Sequence, residues 1–147
     1  MQNIEIYTDG ACSGNPGKGG WGAVILIDGR EERLSGAELL TTNNRMELSA
    51  ALFALEKLQK KGIAKGTAMQ LTSDSQYLKN GITTWIQSWK KNGWKTANKQ
   101  PVKNKDLWEA LDALNAFFSI EWKWVKGHAG HHYNEICDEL ARKAMDD

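Results

Sequence analysis

Four carboxylates occupy positions from which chemistry could be done: Asp9, Glu47, Asp74 and Asp138. Asp9 closes the alternating run Ile4-Glu-Ile-Tyr-Thr-Asp9 and so falls at a strand's end, and Asp74 follows the short apolar run Ala68-Met-Gln-Leu-Thr72 in the same way. Glu47 and Asp138 lie in the first turns of helical patterns. Each has an ordinary explanation taken singly. Asp9-Gly10 is a turn signal, Glu47 could complete a capping box begun by Asn44, Asp74 could cap the next helix, and Asp138 could simply favour a helix N-terminus. Brought to one edge of a sheet, however, the four would repel strongly unless cations neutralised them. Oxygen-only ligands select hard cations, and Mg²⁺ uses a few carboxylates together with waters and substrate phosphates. The chemistry implied is phosphoryl transfer, in which two ions about 3.5–4 Å apart activate a water and stabilise the leaving oxygen.

The elements that must position these groups are legible in the pattern. Ile4 to Asp9 reads as a strand, Gly10 to Trp21 as a glycine-rich turn, Gly19 to Ile27 as a second strand, and Asp28-Gly29 as a hairpin into a third strand over Arg30 to Glu38. Thr41-Thr-Asn-Asn44 supplies caps for a dense helical run from Met46 to Leu58 that ends near Gly62. Ala68 to Thr72 is a fourth strand, and a short helix through Gln76, Tyr77 and Leu78 ends at Asn80-Gly81. Ile82 to Lys90 is a further helix with Trp85 and Trp89 on one face; Asn104 caps another; Ile120 to Val125 is the last strand and Asn134 to Met145 the last helix. This order predicts an α/β fold: a five-stranded mixed sheet, three antiparallel strands then two parallel, covered by helices on both faces, with the first strand at the centre.

Composition narrows the partners. At 147 residues and 16.4 kDa, with 41% hydrophobic and 25% charged residues, the chain reads as one domain over residues 1–147. It has no apolar run that would cross a bilayer and no secretion-signal pattern at its start, so no membrane partner and a cytoplasmic location are expected. Cys12 and Cys137 lie in no metal-ligand spacing. The net charge of +1 hides an uneven distribution, because Lys79, Lys90, Lys91, Lys95, Lys99, Lys103 and Lys105 follow one another with no acidic residue between. The long basic loop from Lys91 to Lys103 reads as functional.

Tyr7-Thr-Asp-Gly10, Thr42-Asn-Asn-Arg-Met-Glu-Leu48, Thr72-Ser-Asp-Ser-Gln76, Trp89-Lys-Lys-Asn-Gly-Trp94 and Val125-Lys-Gly-His-Ala-Gly130, followed by Asn134-Glu-Ile-Cys-Asp-Glu-Leu-Ala141, together resemble bacterial type I ribonuclease H in order and over essentially the whole chain. The resemblance implies a monomeric endonuclease that cuts the RNA strand of RNA–DNA hybrids. It gives Asp9, Glu47, Asp74 and Asp138 the Mg²⁺-binding catalytic role, two ions with substrate and Mn²⁺ as a substitute, and makes Asp9 the ligand shared by both. His128, between Gly127 and Gly130, would be an exposed loop histidine on spacing alone; the resemblance makes it a proton-transfer residue. It matches Cys12, Asn15, Asn43, Asn44 and Gln76 to minor-groove contacts, where the 2′-hydroxyl distinguishes RNA from DNA, although Asn43 and Asn44 could equally be helix caps. It matches Trp85, Trp89, Lys90, Lys91, Trp94, Lys95 and Lys99 to a substrate-binding protrusion, and gives Asn134 a supporting hydrogen-bonding role at the site. His131 and His132 are read as surface residues. Two other readings stay open here: a non-catalytic hybrid- or duplex-binding module, and another metal-dependent nuclease on the same fold.

Overall fold

Alternation in the first forty residues does build three strands, β1 (Ile4–Ser13), β2 (Gly17–Ile27) and β3 (Arg30–Thr41), in the computed structural model, which describes residues 2–127 and 131–146. They pair antiparallel in sequence order. β4 (Ala68–Ser73) then adds parallel to β1, and β5 (Ser119–Trp124) adds parallel to β4, giving the sheet order β3-β2-β1-β4-β5. β1 is the central strand, as expected.

The sequence pattern misplaces two boundaries here. β1 does not stop at Asp9 but runs on to Ser13, paired with β2 as far as Ser13↔Lys18, so the connecting turn is only Gly14, Asn15 and Pro16. What ends near Asp9 is the other ladder: β1 pairs with β4 only to Thr8↔Ser73. Asp9 and Asp74 are therefore the next residues along two parallel strands at the point where those strands part. β3 likewise reaches Thr41 rather than Glu38 because β2 continues beside it.

Helix α1 (Asn43–Lys60) and helix α5 (His132–Asp146) cover opposite faces of the sheet. Glycines permit both contacts. A Cβ on Gly10 would lie 2.6 Å from the Glu47 amide nitrogen of α1, while one on Gly22 would lie 2.5 Å from the Cys137 carbonyl oxygen of α5. The alternation of β2 completes the two layers: Ala23 and Ile25 join the main core with Met46, Leu48, Leu55 and Leu58, whereas Val24 and Leu26 pack on Cys137. Close seating of both helices on the central strands carries Glu47 and Asp138 toward the point where β1 and β4 part.

Two expected helix boundaries are corrected. The chain does not break at Asn80-Gly81: α2 (Gln76–Asn80) continues through a π-helical stretch, Gly81–Trp85, into α3 (Ile86–Lys91), and Gly81 keeps ordinary helical angles. Glycine stands there for space, since a Cβ would lie 2.0 Å from the buried Trp108 ring. Asn104 precedes α4 (Lys105–Phe117) in the left-handed region without a side-chain cap bond. Its amide instead donates to the Tyr77 hydroxyl at 3.1 Å, and its Oδ1 accepts from Arg45 Nη1 at 3.4 Å.

Candidate active site

Asp9, Glu47 and Asp74 each offer a carboxylate oxygen, and these oxygens lie within 4.8 Å of one another. Asp9 and Asp74 come from the parting ends of β1 and β4, the crevice at which open α/β sheets place their ligands. Glu47 enters from α1. The first backbone amide past Asp9 holds two of the three in place: Gly10 N–H donates to Asp9 Oδ1 and to Glu47 Oε1, each at 2.9 Å. Ser73 Oγ donates to Glu47 Oε2 at 3.5 Å and accepts from Ser75 N at 3.0 Å.

The ordinary explanations for Glu47 and Asp74 do not hold. Thr42 caps α1 by accepting from Arg45 N, so Glu47 closes no capping box with Asn44. Ser75, not Asp74, caps α2 by accepting from Leu78 N. Asp138 does stand apart from the other three, since Arg142 pairs with it one turn along α5 at 3.1 Å, although it still lines the same cleft.

The charge on Asp9, Glu47 and Asp74 is not balanced by the chain's own described side chains. Asp9 and Glu47 are buried, and among the described residues no Lys, Arg or His pairs with Asp9, Glu47 or Asp74. Burial first, then the neighbouring Asp74 and Asp138 charges, pushes the Asp9 carboxyl up to about 8. Glu47 is raised as well, by burial and then by Asp9 and Asp74, so Asp9 and Glu47 hold protons that isolated carboxylic acids would release. Hard cations are what an all-oxygen, electron-rich and unpaired donor set of this kind fits.

Around the carboxylates lies an open polar cleft of about 360 Å³, lined also by Asn43, Asn44, Ser75, Gln76 and Tyr77. Asn43, Asn44 and Gln76 are exposed on its rim, and Asn15 Oδ1 braces the first by accepting from Asn43 N at 3.1 Å. Because Thr42 is the cap, the side chains of Asn43 and Asn44 are left to face the cleft. Cys12 is half-buried with its thiol turned to backbone carbonyls of the β1–β2 turn, Gly14 O at 2.8 Å among them. Asn134 is only 7% exposed, and its amide has no partner among the described residues. His128 lies outside the described residues.

The basic segment forms an aromatic-backed protrusion. Trp89 packs against Trp85, Trp94 and Trp108 with ring centroids 5.5–6.4 Å apart, and Tyr77 joins the cleft wall to Trp108 at 5.3 Å. Trp89 and Trp94 are thus largely packing residues, while Trp85 keeps an exposed face. Lys91, Lys95 and Lys99 are exposed, whereas Lys90 Nζ lies 3.1 Å from Asp112, a partner on α4 that the acid-free run of sequence does not reveal. Sequence reasoning also missed Tyr77, whose hydroxyl accepts from both Asn104 Nδ2 and Trp108 Nε1, and Arg45, which grips Asp106 through two nitrogens. Nothing in local spacing marks partners that far apart along the chain.

A mixed sheet with an uncompensated carboxylate cluster at its central strand ends, flanked by exposed amides and a basic protrusion, defines an acidic-site α/β hydrolase suited to a phosphate-bearing substrate. The RNase H family model matches residues 1–146, and the chain belongs to the ribonuclease H family, whose members cleave the RNA strand of RNA–DNA hybrids. It is 57% identical over 147 residues to a ribonuclease H of Hydrogenovibrio crunogenus, covering 100% of this chain and 98% of the relative. It is 59% identical to one of Nitrosococcus oceani, covering 97% and 93%. Among solved structures it is similar to LC9-RNase H1, described as a type 1 RNase H with the type 2 active-site motif, with a TM-score of 0.85 and 32% identity over 97% of this chain and 72% of that one. LC11-RNase H1, solved in complex with an RNA/DNA hybrid, superposes with a TM-score of 0.70 at 26% identity over 98% and 97% of the two chains.

Proposed function

We propose that this chain acts as a single catalytic domain over residues 1–147 that hydrolyses the RNA strand of RNA–DNA hybrids with Mg²⁺ held by Asp9, Glu47, Asp74 and Asp138. The observation that carries the metal assignment is the set of three carboxylate oxygens within 4.8 Å with no cationic side chain among the described residues to pair them. Bound there, divalent ions supply a nucleophilic water at neutral pH and charge neutralisation for an in-line displacement at phosphorus. The residues of the chain do the rest. Gly10 N–H and Ser73 Oγ orient Glu47, and Asp9, on the central strand and held by the same Gly10 N–H, would share in holding the cations. Asn43, Asn44 and Gln76 present amides, able both to donate and to accept, to the 2′-hydroxyls that distinguish the RNA strand. Lys91, Lys95 and Lys99, with Lys90 on release from Asp112, hold phosphates of the DNA strand. His128 serves in proton transfer.

The hybrid-bound LC11-RNase H1 supports the substrate assignment, and the burial of uncompensated carboxylates argues against a pure binding module, which would gain nothing from acidic groups facing phosphate. The test is incubation of the purified protein with a labelled hybrid, duplex DNA or duplex RNA, with Mg²⁺ or with chelator. Cleavage of the hybrid's RNA strand alone, lost on chelation and in Asp74→Asn, is expected. Cleavage that persists in chelator would refute the metal assignment, and binding without cleavage would return the chain to the binding-module reading.

A further inference from the structure

The β4–β5 ladder ends with Ser73 opposite Trp124, one residue short of Asp74. Asp74 therefore projects beyond both ladders, toward Asp9 and Glu47, with no strand partner to keep its backbone in place. The last residues of β5 and those just after it supply the missing constraint. Trp124 Nε1–H donates to the Asp74 carbonyl at 2.9 Å, and Val125 N–H donates to the Ser73 carbonyl at 3.0 Å. Gly127 closes on the same residue from the side: a Cβ there would lie 2.9 Å from Asp74 Oδ2.

Packing does not account for Trp124. Its side chain is 37% exposed at a strand end, outside both buried clusters, and a tryptophan so placed forgoes much of the burial that usually justifies the residue. Among the described residues, its side chain's one directional contact goes to the backbone of a cleft-lining carboxylate. We propose that Trp124 is a positioning residue for Asp74: its indole N–H pins the Asp74 peptide, and the pinned peptide keeps the carboxylate beside Asp9 and Glu47. The inference rests on the reading of Asp74 as a metal ligand. Without the tether, the Asp74 peptide, beyond the end of both ladders, is free to turn outward, and a cation must first draw it back. Binding weakens for that reason, with little change in the stability of the fold.

The test is titration of Mn²⁺ into the substrate-free protein by calorimetry, for wild type, Trp124→Phe, Trp124→His and Asp74→Asn. Trp124→Phe keeps a ring and loses the donor; in Trp124→His the Nε2–H can overlay the indole N–H. Expected is about 2- to 10-fold weaker Mn²⁺ binding for Trp124→Phe, the span that one net hydrogen bond confers, with most of the affinity recovered in Trp124→His. The melting temperature in chelator should stay near that of wild type. In kinetics, KM for the hybrid should hold, while kcat falls at low Mn²⁺ and recovers at high Mn²⁺. Wild-type Mn²⁺ affinity in Trp124→Phe, or no recovery in Trp124→His, overturns the role of Trp124 if Asp74→Asn loses binding. Wild-type affinity in Asp74→Asn overturns the metal-ligand reading itself.

Discussion

Replacing Asp9 with Asn should abolish cleavage and at the same time make the cation-free protein more stable, and the second effect has a sign that pH can test. The Asp9 carboxyl rises from an ordinary 3.8 to about 8 in the fold. Between those values the folded state binds more protons than the unfolded state, so this group's contribution to stability falls as pH rises through the window. One unit corresponds to about 1.4 kcal/mol, so the full shift sets a ceiling of about 6 kcal/mol on the penalty at pH 8. The cleft is open to water on one side and its side chains can rotate apart, which brings the expected gain in Asp9→Asn to about 2 kcal/mol, or roughly 4–8 °C in melting temperature for a chain of this size. The assay is thermal unfolding of wild type and variant in chelator across pH 4 to 8, taking the difference so that other titrating groups cancel. The advantage of the variant should be largest at pH 8 and vanish near pH 4. Millimolar Mg²⁺ should stabilise the wild type and leave the variant nearly unmoved. An Asp9→Asn protein no more stable than wild type at pH 8 in chelator, or one whose advantage grows as pH falls, would refute the account of an uncompensated carboxylate cluster.

Other outcomes follow from the same structure. Gly81→Ala should lose about 3 kcal/mol by chemical denaturation, because its Cβ would meet the Trp108 ring at 2.0 Å, whereas relief of glycine's helical cost alone would add about 1 kcal/mol; a stabilised variant would show that the ring can move aside. His128→Ala should retain cation-dependent activity at a rate reduced on the order of 10²-fold or less, since water partly replaces a proton-transfer group; complete loss would make it part of the essential cation site. Replacing Lys90, Lys91, Lys95 and Lys99 with Ala should raise KM, leave kcat nearly intact and flatten the plot of log affinity against log salt by roughly 0.7–0.9 for each phosphate contact removed. Because Lys90 is paired with Asp112, its own share of that slope should be the smallest, which single substitutions would show.

The order and type of the elements are legible in local signals, because strand alternation, the dense run from Met46 to Leu58 and the cap residues are reinforced here by tertiary packing. The sequence also singled out all four carboxylates, and family motifs supplied what spacing could not. Three matters were decided only in the folded molecule. Where β1 stops depends on its neighbours, and since β2 continues past Asp9 while β4 does not, the carboxylate lies at a divergence of strands rather than at a strand's end. Gly81 and Asn104 carry the letters of a helix stop and a helix cap, yet Trp108 and Tyr77, distant along the chain, assign one to close packing and the other to a hydrogen-bond bridge. Four acidic residues look equivalent in sequence, but tertiary contacts separate them: Arg142 partners Asp138, whereas burial and a shared Gly10 amide draw Asp9 and Glu47 together and Trp124 N–H reaches the Asp74 backbone. Local pattern encodes propensity and periodicity; which charge goes without a partner is a property of through-space neighbours, and only the fold brings those neighbours together.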